Sequence, residues 1–223
     1  MTISFCVSEI AVWTPGDDSE NGPDVKDLPM MLRRRLSHLG KMAMRVAHDI
    51  EDRSKASLVF SSRYGESAQT VKLLQSLALK EPLSPAGFSM SVHNGLAGLL
   101  SITSKNKMPH SAISAGEASF CNALMEACAQ LACQPDVPVL LVHYDEPLPD
   151  FYDPFADPNV TPVAVAMLLE KSNGTDHTYG VSSTKAGKSS QDAALSFVEY
   201  LSMKKQSWSW TDGRTEWTCQ HAA

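Results

Sequence analysis

Residues 137–144, Val-Pro-Val-Leu-Leu-Val-His-Tyr, decide the fold class of this chain. The stretch is an almost unbroken apolar and β-branched run, which is typical of a strand buried on both faces of a sheet. A second run of this kind, Val163–Leu169 (VAVAMLL), follows a loop rich in prolines and acids. Helical patterns alternate with these and other short strands along the chain, and such alternation predicts an α/β fold.

Hydrophobic periodicity places the other elements. The predicted strands are Ile3–Trp13, Ser57–Ser61, Ser111–Ala115, an edge strand around Tyr179–Ser182 and a terminal strand in the Ser-Trp-Ser-Trp tail. The predicted helices are Pro29–Ile50, Ser67–Lys80, the stretch 88–102, Glu117–Ala132 and Gln191–Met203. Val71, Leu74, Leu77 and Ala78 are expected to form the buried face of the second helix. No repeat or shift in composition marks a boundary, so we predict one domain over 1–223.

Charge and cysteine content exclude several classes of protein. The chain carries 19 Lys and Arg against 25 Asp and Glu, a net charge of -6, which argues against nucleic-acid binding. Its five cysteines lack metal-ligand spacing and are expected to be reduced thiols, and no glycine-rich nucleotide motif is present. We therefore expect no metal and no cofactor. The N-terminus lacks the basic region of a signal peptide and no apolar run reaches membrane-span length, which predicts a cytoplasmic protein.

One local motif is compatible with nucleophilic catalysis. Residues Ala112–Gly116 (AISAG) lie between a predicted strand and a helix and resemble a nucleophile elbow with Ser114 as the nucleophile. Asp145 and a later histidine, His177 or His221, would complete the order of a catalytic triad. The competing interpretation is that small residues at this turn serve packing.

Two further polar groups have both a functional and a structural interpretation. Asp145 and Glu146 could act as a carboxylate pair, but adjacent residues rarely converge, which favours a solvated loop. His93 and Asn94 precede an apolar helix and could supply polar groups to a site, while Asn94 equally fits a helix N-cap.

Several stretches together resemble the N-terminal half of the β-ketoacyl synthases of the thiolase superfamily. The most specific are Ser91-Val92-His93-Asn94, Ala97-Gly98 and Ser101-Ile102, with Leu83-Ser84-Pro85 before them. VPVLLVHYDE and VAVAMLLEK resemble later strands of the same half. The resemblance is strongest over 57–170 and leaves 185–223 as a C-terminal helix and tail. It implies half of a thiolase-like fold, with a mixed sheet and helices on both faces.

The departures from the ketosynthase pattern imply a non-catalytic chain. In register from Pro109, the position of the family's nucleophilic cysteine belongs to Glu117, or to Ile113 if the register shifts by four residues. Cys121 lies one helical turn further on and is expected to be a core residue. The family's C-terminal half, which carries the catalytic histidines, has no counterpart here. Claisen condensation by this chain therefore lacks its chemical groups.

Ketosynthase-like subunits without the cysteine occur as chain length factors of type II polyketide systems. This chain is similar to the short chain length factors of aryl polyene biosynthesis in Gram-negative bacteria. The resemblance implies pairing with a catalytic ketosynthase as a heterodimer or higher assembly. An acyl carrier protein would meet the ketosynthase, because this acidic chain repels it.

The same resemblance implies roles for named residues. Tyr64, Ala68 and Val71, spaced by four and three, would shape the acyl tunnel from one side of a helix. The competing interpretation is that Val71 is core and Tyr64 a surface aromatic. The partner interface would include His93, Asn94, Glu117 and Phe120, and the uncovered face of the central helices would add apolar area. Two other functions stay open: an esterase or thioesterase using Ser114, and a malonyl decarboxylase depending on Glu117.

Overall fold

The computed structural model describes residues 3–16, 22–172, 179–185 and 192–221, and over these ranges one eight-stranded mixed sheet organises the chain. Its strands are Ile3–Trp13 (β1), Ser57–Ser61 (β2), His110–Ile113 (β3), Val139–Asp145 (β4), Val163–Lys171 (β5), Tyr179–Lys185 (β6), Ser207–Thr211 (β7) and Thr215–His221 (β8). They lie in the order β3-β2-β4-β5-β1-β6-β8-β7. Strand β2 pairs in parallel with β3 and β4, and the other pairs are antiparallel.

Helices cover both faces of this sheet, which confirms the predicted α/β class. They are Met30–Arg33 (α1), His38–Asp49 (α2), Ser67–Ala78 (α3), Pro85–Ser91 (α4), Gly95–Thr103 (α5), Ser119–Cys133 (α6) and Ala193–Ser202 (α7). In β4, Val139 and Leu141 pack in one core cluster with α6 and α7. Leu140 and Val142 alternate with them and pack in a second cluster with α2 and α5. The strand is therefore buried on both sides, as its sequence predicts.

Two predicted helices are each divided in the structure. The helix predicted over Pro29–Ile50 breaks after α1, and α2 begins anew because the Ser37 hydroxyl accepts a hydrogen bond from the Gly40 amide at 2.8 Å. The stretch 88–102 likewise contains α4 and α5, with an extended backbone at Val92 between them.

The C-terminal part of the sheet is larger than the sequence indicated. The strand at Tyr179 is not an edge strand, because β6 pairs with both β1 and β8. The Ser-Trp-Ser-Trp tail forms β7 of a hairpin with β8, in which Trp208 and Trp210 are buried while the alternating serines are exposed. Helix α7 begins at Ala193, capped by the Asp192 carboxylate, and Gln191 lies outside the described residues.

None of the helices in the described ranges has the length and apolarity needed to cross a membrane.

Candidate active-site cleft and partner surface

The ends of three neighbouring strands bring polar side chains together at one edge of the sheet. Because β3, β2 and β4 run in parallel, their carboxyl ends meet at the same edge. Ser62–Gly65 follow β2, Ser114–Glu117 follow β3, and Asp145 is the last residue of β4. Ligands of α/β proteins commonly bind at this edge.

The turn after β3 has the sharp geometry expected of an elbow. Gly116 has φ of 61°, a left-handed conformation that favours glycine. The Ser119 hydroxyl donates to the Gly116 carbonyl at 2.7 Å and accepts from the Ala115 amide at 3.0 Å, which closes the turn against α6. The helix begins two residues later than predicted, so Glu117 projects from the turn, with 43% of its side chain exposed.

An arginine that the sequence did not single out organises this edge. The Arg63 guanidinium lies 2.8 Å from the Asp157 carboxylate and 3.5 Å from the carboxylate of Glu117. It also covers the Tyr64 ring, 4.8 Å from its centroid. The pKa of Asp157 is lowered by the Asn159 backbone amide and then by Arg63, which keeps this carboxylate charged. Glu117 and Asp157 are therefore both ion-paired with Arg63.

An open cleft of about 760 Å³ lies over this ion cluster. Its volume falls within the range of small-molecule sites, roughly 300–1,000 Å³. Its lining combines the ion cluster with residues of α6, β4 and the C-terminal segment, namely Arg63, Glu117, Phe120, His143, Asp145, Asp157, Asp192, Ala193 and Trp210. No group of His, Cys, Asp or Glu suited to hold a metal ion occurs in the ranges that the structure describes.

The structure gives no support to a catalytic triad at Ser114. The Ser114 hydroxyl donates to the Arg63 carbonyl at 3.2 Å, and Asp145 binds the turn after β2 instead of a histidine near Ser114. His177 and the His221 side chain lie outside the described residues. The Asp145–Glu146 pair also separates, because Glu146 faces His38 at 3.2 Å. Asp145 itself is buried and hydrogen-bonded, so the solvated-loop interpretation is wrong for it.

The residues predicted to shape a tunnel, Tyr64, Ala68 and Val71, lie on different elements. Tyr64 precedes α3, so the helical spacing invoked for it does not apply. Its ring is half-buried, and its hydroxyl oxygen has no hydrogen-bond partner among the described residues. Ala68 lies in the first turn of α3, and Val71 is buried one turn later, outside both core clusters. Tyr64 belongs to the turn that precedes α3.

The residues predicted for a partner interface divide between surface and core. Asn94 is exposed and stands at the N-cap of α5 without a side-chain capping bond. A ring nitrogen of His93 lies 2.9 Å from the Ile113 carbonyl, at the end of edge strand β3. Phe120 is only 1% exposed and packs against His143 and Phe197, so it is a core residue of this chain.

A continuous run of chain around α3 and α4 exposes apolar side chains. Helix α3 buries only Val71 of its predicted face, while Leu74 and Leu77 are 49% and 59% exposed. We define the α3–α4 surface by its exposed residues, Leu74, Leu77, Leu79, Leu83, Phe88 and Val92. The two helices pack against each other, and α4 also contacts α5. Exposed apolar patches of this kind mark interaction sites.

The central helices do not provide the expected second apolar surface. No exposed large hydrophobic of the described residues lies on α6 or α7. Helix α7 and the β7–β8 hairpin pack against α6 through Phe197, Trp208 and neighbouring residues of the same cluster. The C-terminal segment thus covers apolar area that would otherwise be exposed.

Glu66, at the N-cap position of α3, is a buried acid beside this region. Its side chain accepts a hydrogen bond from the Ser37 hydroxyl at 2.7 Å. Burial raises its pKa to about 7, against the lowering effect of Ser37, and Glu146 adds to the rise. The folded state therefore favours the protonated form of Glu66. Its contribution to stability is fully present below the pKa that Glu66 has in the unfolded chain, and it is lost as the pH rises through about 7.

We expect Glu66→Gln to remove this loss. Between pH 5 and pH 8 the free energy of unfolding should fall further in the unmodified protein than in the variant. The difference between the two decreases is expected to be up to about 3 kcal/mol. Urea unfolding of the purified proteins across this range measures the difference. Glu199→Gln, at a half-exposed carboxylate paired with Lys205, is the matched control and should follow the unmodified protein. Parallel curves for Glu66→Gln and the unmodified protein would contradict the assignment.

The family model for the N-terminal domain of β-ketoacyl synthases matches residues 11–220. Among solved structures, a chain of the complex of a ketosynthase with its chain length factor from Xenorhabdus doucetiae is 26% identical. The alignment covers 98% of this chain and 100% of that chain, with a TM-score of 0.83. The two chains are thus of nearly equal length.

Two further structures share the fold at lower identity. The ishigamide ketosynthase/chain length factor is 16% identical, with a TM-score of 0.58 over 74% of this chain and 54% of that chain. A type II polyketide synthase acyl-carrier protein in complex with its hexaketide-bound ketosynthase gives 12% identity and a TM-score of 0.64. That alignment covers 82% of this chain and 69% of the other. No curated protein matches the chain. These matches confirm the thiolase-like ketosynthase fold.

Proposed function

The chain belongs to the β-ketoacyl synthase N-terminal domain family, and from this premise we propose that it is a non-catalytic chain length factor subunit. It pairs with an active ketosynthase and shapes the tunnel for the growing acyl chain in type II polyketide biosynthesis of the aryl polyene kind. We further propose that residues 1–223 act as one ketosynthase-like N-terminal domain.

The observation that carries this proposal is the full-length match to a short chain of a ketosynthase–chain length factor complex. The alignment covers 98% of this chain and 100% of the matched chain, with a TM-score of 0.83. We propose that Glu117 takes the place of the family's nucleophilic cysteine, and its pairing with Arg63 in the elbow after β3 supports a non-catalytic role. A carboxylate held in an ion pair is a poor acyl acceptor.

Cys121 offers no substitute nucleophile. It is 1% exposed in the core around α6, and burial raises the pKa of its thiol, so little reactive thiolate forms. The competing activities gain no support either. Ser114 bonds a backbone carbonyl, and the pairing of Glu117 with Arg63 disfavours its use as a free catalytic group in decarboxylation.

The partner surface that we propose joins the α3–α4 surface to His93, Asn94 and the outer edge of β3. Over the described residues β3 is the first strand of the sheet, and an edge strand can pair with another chain. Stable complexes of this type bury roughly 2,000 Å² or more. The apolar side chains of the α3–α4 surface suit burial of this kind.

Co-expression with each ketosynthase of the source genome tests the proposal. We expect one of them to form a stable 1:1 complex or a multiple of it by size exclusion, and the complex to make polyene that neither chain makes alone. The chain expressed alone should aggregate. A monodisperse monomer with a sharp thermal transition, and no complex with any ketosynthase, would overturn the assignment.

The chain should accept no acyl group. Incubated with acyl- and malonyl-carrier proteins, it should show no mass increase by intact mass spectrometry, because neither Glu117 nor Cys121 supplies a reactive nucleophile. Cys133 is an exposed thiol that could react without specificity, so Cys133→Ser serves as the background for the measurement. A thioester mapped to Cys121 would contradict the non-catalytic role.

A further inference from the structure

The buried carboxylate of Asp145 binds the turn that carries Tyr64. Asp145 ends β4 and is 7% exposed. It accepts hydrogen bonds from the Ser62 hydroxyl at 2.9 Å, from the Arg63 amide at 2.8 and 3.0 Å, and from the Tyr64 amide at 3.3 Å. Both carboxylate oxygens therefore face donors of a single turn. Few side chains other than a carboxylate can accept this many bonds.

Neighbouring elements fix the same turn from other sides. The Gly65 amide donates to the Ser62 hydroxyl at 2.7 Å, and the Arg63 carbonyl accepts from Ser114 at 3.2 Å. Gly65 has φ of 54°, and a Cβ atom there would lie 3.0 Å from a ring nitrogen of His93. The turn thus contacts the ends of β3 and β4 and the segment that leads into α5. Tyr64 is the aromatic residue of this turn, and its ring lies beneath the Arg63 guanidinium.

A second layer of side chains orients the Asp145 carboxylate. A ring nitrogen of His143 lies 3.5 Å from one Asp145 oxygen, and the other ring nitrogen lies 2.9 Å from the Ser61 hydroxyl. Phe120 packs edge-on against the His143 ring at 5.5 Å between centroids. All three supporting side chains are buried. These contacts hold the carboxylate in the orientation in which it binds the turn.

We propose that Asp145 is a positioning residue that fixes the place of the Tyr64 ring and, through it, the length at which the acyl chain stops. The inference rests on the proposed function, in which Tyr64 belongs to the tunnel. Asp145 acts on the backbone that carries the ring, through its bonds to the Arg63 and Tyr64 amides. Without the carboxylate, the Arg63 and Tyr64 amides lose their acceptor and the ring samples several positions.

Asp145→Asn in the ketosynthase complex tests this role, because asparagine keeps the shape but replaces one acceptor oxygen with a donor. We expect the Arg63 and Tyr64 amides to exchange hydrogen at least tenfold faster. The product distribution should broaden towards longer chains at similar initial rates. In a Tyr64→Ala background the same substitution should leave the distribution unchanged, because no ring remains to be positioned. Glu146→Gln, at the neighbouring carboxylate that faces His38, is the matched control and should change neither measurement.

The outcomes separate this inference from the proposed function. If Tyr64→Ala lengthens the products and Asp145→Asn does not alter them, the positioning role is overturned while the tunnel role stands. If Tyr64→Ala has no effect in an intact complex, the tunnel role fails and this inference fails with it. An Asp145→Asn effect that persists in the Tyr64→Ala background would show a general structural role and overturn the inference. Ser62→Ala removes two bonds of the same turn, one to Asp145 and one from the Gly65 amide, but keeps the carboxylate that accepts from the Arg63 and Tyr64 amides. It replaces Asp145→Asn if that variant does not fold, and it should broaden the distribution less.

Discussion

Replacing Phe88 with glutamate should strongly weaken the complex with the ketosynthase. Phe88 lies on α4 with 61% of its surface exposed, and it is the aromatic residue of the α3–α4 surface. Large aromatic side chains at the centre of an interface contribute most of its binding energy, and a buried, unpaired carboxylate would add a desolvation cost. We expect binding at least roughly 100-fold weaker, about 2.8 kcal/mol. Because the side chain is exposed in the single chain, its own fold should tolerate the change.

A second exposed phenylalanine provides the control for this variant. Phe151, 65% exposed, lies in the turn Asp150–Phe155 outside the α3–α4 surface. Phe151→Glu makes the same chemical change and should leave the complex intact. Size exclusion of the co-expressed pairs, followed by titration calorimetry, distinguishes the two variants. Loss of the complex in Phe151→Glu with retention in Phe88→Glu would place the partner at the Asp150–Phe155 turn and overturn the α3–α4 assignment.

The buried strands were predictable almost residue by residue, whereas the exposed helix face was not. Strands β4 and β5 are apolar on both faces, and such runs have few other stable arrangements in a soluble domain. In α3 the apolar positions do form a stripe, but periodicity reports only that a stripe exists. Leu74 and Leu77 are exposed because no element within the described ranges covers them. A single-chain sequence pattern cannot tell a core face from a face reserved for a partner.

The candidate site was only partly predictable because its contacts join distant parts of the chain. The register of the ketosynthase resemblance points to Glu117, but its partner Arg63 comes from the turn after β2. Arg63 and Asp145 meet because β2 and β4 are neighbours in the sheet, an order that the sequence does not state. His143 was missed because it lies inside an apolar run, where a histidine gives no local signal of its polar partners. The residues of this site meet because of the order of the strands in the sheet, and not because they form a local sequence motif.

The length of the polyene should depend on the side chains at the start of α3. The Tyr64 ring is half-buried beneath the Arg63 guanidinium, and Val71 is buried one helical turn after Ala68. If these side chains close the tunnel, a rigid planar chain stops where it meets them. Tyr64→Ala removes a whole ring and should shift the products of the complex longer by several carbons. Val71→Trp fills space and should shift them shorter, at similar initial rates.

Overpacking at Val71 could instead strain the fold, at a typical cost of about 1–3 kcal/mol. Val71→Ala is therefore tested beside Val71→Trp. If Val71 lines the tunnel, the smaller side chain should give longer products and the larger one shorter products. If Val71 is only a core residue, both variants should lose stability without a change in product length. Mass spectrometry of the polyenes and the thermal midpoint of each complex separate these two responses. Opposite shifts in product length in the two Val71 variants decide between these possibilities, because a general loss of stability lowers the yield but does not shift the product length in opposite directions. Identical length distributions in all three variants, with the complex intact, would show that the limit on chain length is set by the ketosynthase alone.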